Sequence, residues 1–243
     1  MYVNPTQYIA PVASIIIGIV PVIYLRKDGM LFAIAAAAYF IAIVCKIVVE
    51  GVFSGFFGER SLSTYIAYGC LTAVFEIGLA YALVHLYSGS YRPWKGWAYG
   101  SYLAFFENSI LVGGLSLFTL LIVNVAVIPG TGTDAYAANA IPIDIPSAFE
   151  RLTSFIAHAA WGYFAFYAAL QKKPLMVLPA VPLAFIDSIA AWWDLTHAIS
   201  YPLLVAILFA FVVVVTVLAL YLTSQWNESV AGLSRKSAKT DGE

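Results

Sequence analysis

Seven long apolar runs separated by short polar breaks dominate the chain: residues 8–24, 31–53, 64–87, 97–128, 147–170, 174–193 and 200–222. Each approaches or exceeds the roughly 17–25 residues that a helix needs to cross a hydrocarbon core about 30 Å thick. The pattern predicts an all-α polytopic membrane protein, a bundle of about seven transmembrane helices forming one domain over residues 1–224. The first run is short and carries Pro11 and Pro21. The fourth is overlong, so a tilt or a kink near Gly113-Gly114 is expected there. From Gln225 to Glu243 the chain turns polar and Ser/Lys-rich, which predicts a disordered cytoplasmic tail. No basic region precedes the first run, so it reads as a retained helix rather than a cleaved signal.

Composition agrees with the pattern. Hydrophobic residues make up 62% of the 243, and charged residues only 10%, against about 25% in an ordinary soluble domain. So much apolar surface needs a lipid bilayer as its solvent. A net charge of −1 offers no basic face for nucleic acid, so no such partner is expected. Cys45 and Cys70 fall inside apolar runs and read as small packing residues rather than a disulfide or metal pair.

The basic residues divide the loops into two sets. Arg26, Lys27, Arg92, Lys95, Lys172, Lys173, Arg235, Lys236 and Lys239 fall in alternate connections and the tail, whereas the other connections hold only Arg60. Nine against one requires an odd number of spans. By the positive-inside rule it puts the N-terminus outside and the C-terminus in the cytoplasm of a multi-pass cell-membrane protein. Trp94, Trp97, Trp192, Trp193 and Trp226 lie near run ends, where interfacial aromatic belts form. The longest connection, 129–146, has no basic residue and falls outside.

Ionisable residues within the runs are the candidate chemistry, because a charge in hydrocarbon costs about 2.5–3.5 kcal/mol on insertion scales. With a rise of about 1.5 Å per residue, Glu76 lies roughly 18 Å and His158 roughly 17 Å from the outer ends of their helices. Glu107 and Asp187 lie roughly 15 and 20 Å from the inner ends of theirs. Four consecutive helices therefore each place a carboxylate or an imidazole near the midplane. Such a set can hold a divalent metal with an open position for water, relay protons, or act as a polar bundle core. Lys46 with Glu50, at i,i+4 spacing, and Glu150 with Arg151 are expected as structural ion pairs toward the outer side.

Four segments, in order over roughly residues 64–193, carry a resemblance to a known family. They are Tyr68-Gly69 with Val74-Phe75-Glu76, Trp94 to Gly100 followed by Glu107, Phe149-Glu150-Arg151 with His158, and Ala184-Phe185-Ile186-Asp187. Together they resemble the motifs of the YhfC-type membrane peptidases, which look like part of a wider intramembrane protease group including the CAAX-prenyl-protease and PrsW types. Ile77, Ala80 and Leu183 stand where that family has a second glutamate, an arginine and a late histidine; Tyr102-Leu103-Ala104 replaces its Gly-His-Gly.

The resemblance implies hydrolysis of a peptide bond in a transmembrane peptide or protein by a glutamate-activated water. One divalent metal such as zinc would be held by His158 and Glu107. Glu76 would be the base, and Asp187 would orient His158. A catalytically inactive relative binding a membrane partner or lipid, and a small transporter or proton-coupled membrane protein using the same carboxylates, are the alternatives. Reporters fused after residue 243 and within 129–146 should report opposite sides of the membrane; reporters on one side would overturn the seven-span topology.

Overall fold

Seven long helices, and one short one, make up the described part of the computed structural model, which covers residues 8–25, 28–90, 92–126 and 144–240. They are α1 (Ile9–Leu25), α2 (Gly29–Val52), the short α3 (Ser54–Phe57), α4 (Leu62–Val84) and α5 (Pro93 to Ala126), followed by α6 (Asp144–Leu170), α7 (Pro174–Thr196) and α8 (Tyr201–Thr240). The all-α membrane bundle is as expected. Five of these helices are long and apolar enough to cross a bilayer, and α1 is a shorter apolar one. Most of the connection expected over 129–146 lies outside the described residues. The polar tail differs from expectation: α8 continues to Thr240, through a segment with several good helix formers, among them Ala231, Leu233 and Lys236.

The helix ends define two faces. Leu25, Gly29, Val84, Pro93, Leu170 and Pro174 lie toward one, which the sequence makes the basic face. Val52, Leu62, Asp144, Thr196 and Tyr201 lie toward the other. At the basic face, Asp28 caps α2 by accepting from the Leu31 N–H at 3.1 Å, and it also receives the Tyr87 hydroxyl and the Lys95 ammonium. Burial pushes the Asp28 carboxyl up, but those donors outweigh it and hold the group below its ordinary value of 3.8. The contribution of this clamp is present at neutral pH and is lost as pH falls below 3.8, toward the depressed folded value.

Helix α6 is the axis of the bundle. Ala157, His158, Ala160, Trp161, Phe164, Ala165, Phe166 and Ala168 are all essentially enclosed, so this helix faces protein on most sides, and it is not among the five apolar enough to cross a bilayer. On α2, by contrast, Val44, Ile47 and Val48 are more than half exposed, as a lipid-facing stripe should be.

The close approach of α5 and α6 depends on glycine. A Cβ at Gly100 would sit 2.6 Å from the Cα of Ala159, and one at Gly162 would sit 2.7 Å from the Gly100 nitrogen. Small residues let helix backbones meet in a membrane. Gly100→Val should therefore lower the melting temperature in detergent by several degrees, from about 1–3 kcal/mol of overpacking. Gly51→Ala, with nothing within 4 Å of the new methyl, should leave it unchanged or raise it. Equal melting for both would refute this packing argument.

Candidate functional site

Local irregularities in three helices set the site. Glu76 lies in a π-helical stretch, Thr72–Ile77, within α4, and Glu107 in another, Phe106–Gly114, within α5. Widening the helix by one residue per turn re-aims the side chains and loosens the backbone ladder, which is why such segments recur at functional sites. Helix α1 compensates in α5. Ser14 donates to the Asn108 carbonyl at 2.6 Å, and Ser109 returns a bond to the Ile15 carbonyl at 2.8 Å. In α7, Pro179 and Pro182 lie in a 3-10 stretch, Pro174–Phe185, before α-helix resumes at Ile186. Proline lacks the donor that an α-helix interior uses. Asp187 thus falls in the first turn of the resumed helix, where a carboxylate is favoured by the helix dipole.

The four midplane residues line a single cavity of about 220 Å³, together with Tyr39, Lys46, Arg151, Ser154 and Trp161. Three of them converge. His158 Nε2 lies 2.9 Å from Glu107 Oε2 and 3.3 Å from Glu76 Oε2, and one ligand atom from each residue falls within 4.8 Å of the others. The ring is fixed from its far side: Nδ1 is 2.9 Å from the Ser154 carbonyl oxygen. A carbonyl can only accept, so Nδ1 carries the proton. Nε2 faces two carboxylate oxygens, and it is a buried atom with no aligned hydrogen bond. Three electron-pair donors at this separation require a positive charge between them, a proton or a metal cation.

The surrounding charges are arranged in two arms. The Lys46 ammonium reaches Glu76 Oε1 at 2.5 Å, Asp187 Oδ2 at 2.8 Å and Thr72 Oγ1 at 2.8 Å, using all three of its protons. Thr72 in turn donates to Asp187. On the other side Arg151 pairs with Glu150 and approaches Glu107 Oε1 at 3.4 Å, while Ser154 donates to that oxygen at 2.9 Å. Tyr201 donates to the second Glu150 oxygen. Four carboxylates against Lys46 and Arg151 leave two negative charges when His158 is neutral. One divalent cation would balance them.

Two expected roles are corrected. Asp187 does not orient His158; it is bound by Lys46 and Thr72, and the Ser154 carbonyl holds the imidazole instead. Lys46 does not close on Glu50 as a peripheral pair. It turns inward because three oxygen acceptors satisfy an ammonium better than one carboxylate at the rim. The Glu150–Arg151 pair is present, with Arg151 extended to Glu107. Sequence reasoning also missed Ser154, one turn before His158, and Tyr39, whose buried hydroxyl has no hydrogen-bond partner. The i,i+4 spacing of Ser154 and His158 was the available signal for the first; nothing in the sequence singled out Tyr39. Ile77 and Leu183 are enclosed in the apolar core and do not line the cavity. Cys45 and Cys70 are both free.

Comparison with known protein families, curated proteins and solved structures finds no match for this chain.

Removing the Lys46 charge strands Glu76 and Asp187. Lys46→Met should destabilise the protein by about 3–5 kcal/mol, read as a fall in melting temperature of about 10 °C. Adding Asp187→Asn should restore part of the loss. A Lys46→Met protein melting within a degree of wild type would contradict the pairing.

Proposed function

We propose that this protein is a metal-dependent intramembrane hydrolase of the YhfC-like kind, cutting a peptide bond in a membrane-inserted substrate. The observation that carries the reading is the convergence of the buried His158 Nε2 with the Glu76 and Glu107 carboxylates, at 3.3 and 2.9 Å, without an aligned hydrogen bond. The imidazole nitrogen of His158 and a carboxylate oxygen of Glu107 are donors suited to zinc, and Glu76 lies beside them where a water on the ion would sit. When bound, such a cation lowers the pKa of its water and polarises a substrate carbonyl.

The protein's own groups then divide the work. His158 and Glu107 would hold the ion, with Ser154 fixing the tautomer of the first and, with Arg151, the position of the second. Glu76 takes the proton from the attacking water, with Lys46 bound to its other oxygen. Tyr39, with its unmatched hydroxyl, is the available donor for negative charge developing on the substrate oxygen. The aromatic seal described by Tyr99, Trp161, Phe164 and Phe166 lies on the basic-face side of His158. A carrier would need polar access from both faces, so this seal favours a one-sided site.

Elemental analysis should find about one zinc or other transition ion per chain, and His158→Ala should lose it. Glu76→Gln should lower cleavage of a membrane-anchored peptide reporter by at least about 10²-fold; Asp187→Asn should lower it less. Turnover by Glu76→Gln equal to wild type, with both proteins stably inserted, rejects catalysis and leaves the ligand-binding alternative.

A further inference from the structure

The site cavity meets a second, larger cavity at one ion pair. This outer cavity, about 460 Å³, is lined by Glu50, Tyr68, Asp194 and Leu195, and it shares Lys46, Asp187 and Ala190 with the inner one. Glu50 is near the end of α2, Tyr68 is in the second turn of α4, and Asp194 is near the end of α7, so all three lie toward the face opposite the basic one. Side-chain exposure falls steadily along this line, from 33% at Asp187 to 13% at Lys46, 6% at Glu76 and 3% at His158. A smaller cavity of about 200 Å³ touches the inner one at Glu150 and Arg151, again toward that face. Toward the basic face the path ends in enclosed aromatic and aliphatic side chains, including Tyr99, Trp161 and Leu183.

We propose that the outer cavity is the aqueous approach to the site, that it favours cationic groups, and that the Lys46–Asp187 pair is its gate. Three carboxylates, Glu50, Asp187 and Asp194, face one ammonium there, and a recess with low-dielectric walls concentrates ions of the opposite sign. Lys46 is suited to a gate. Its flexible stem carries a compact charge, and an arriving ammonium or guanidinium can take its place on Asp187 without leaving a carboxylate bare. The gate does not require hydrolysis. A relative that only binds ligand would use the same approach, and failure of either reading leaves the other standing.

The test uses the full-length protein with Cys45→Ala and Cys70→Ala, one new cysteine, and membrane-impermeant methanethiosulfonates carrying either an ammonium or a sulfonate. Leu195→Cys reports the mouth and Ala190→Cys the junction; Ile43→Cys, which lines the inner cavity, replaces Ala190→Cys if that variant does not elute as a single species. In vesicles presenting either face, both positions should react from the face opposite the basic one only. The cationic reagent should be faster by about tenfold or more, and Lys46→Gln should accelerate reaction at the junction but not at the mouth. A junction cysteine that reacts only after denaturation makes the outer cavity a closed recess and overturns the proposal. Equal rates for the two reagents, reaction from the basic face, or a junction rate indifferent to Lys46→Gln would each overturn it as well.

Discussion

The Nε2 of His158 and one oxygen each from Glu76 and Glu107 are held together in the interior, the ring nitrogen 3.3 and 2.9 Å from the two carboxylates without an aligned hydrogen bond. In water such a cluster would fly apart or take up protons. Inside a bundle, where the effective dielectric is low, the repulsion must be answered by a placed positive charge. Much of the surrounding structure follows from this. The Ser154 carbonyl pins the proton to the far ring nitrogen, Lys46 and Arg151 bracket the carboxylates, and the π-helical turns of α4 and α5 bring two glutamates to the same imidazole.

The sequence made the depth of the site legible, and not its wiring. Helical rise and hydropathy were enough to bring Glu76, Glu107, His158 and Asp187 to one level, and all four line one cavity. Which groups touch depends on how helices rotate about their axes, and no periodicity reports that across π and 3-10 segments. A one-residue widening before Glu76 and a proline-bearing stretch before Asp187 shift the faces that an ideal helix would predict. Lys46 was misjudged for a related reason. The i,i+4 rule pairs it with Glu50 on a single helix, whereas its three acceptors come from α4 and α7.

Helix α6 shows the same limit from the other direction. It carries Glu150, Arg151, Thr153, Ser154 and His158, which dilute its hydropathy so that it is not among the five helices apolar enough to cross a bilayer, and it is enclosed by its neighbours. The polar half faces the cavity and the opposite surface. The half nearer the basic face is filled by Trp161, Phe164, Phe166 and small alanines, and it packs against Gly100 at backbone contact. This division puts the polar groups toward one face of the bundle and the aromatic packing toward the other. Ile77 and Leu183 belong to the apolar packing.

Only three histidines occur in the chain, so nitrogen-15 NMR of histidine-labelled protein in detergent can read the state of His158 directly. The metal account predicts one neutral ring protonated on Nδ1, whose Nε2 resonance moves on addition of one equivalent of zinc and returns on chelation. That signal should be missing from His158→Ala. An imidazolium signal at neutral pH that zinc does not alter would mean that a proton, and not a metal, supplies the charge between Glu76, Glu107 and His158.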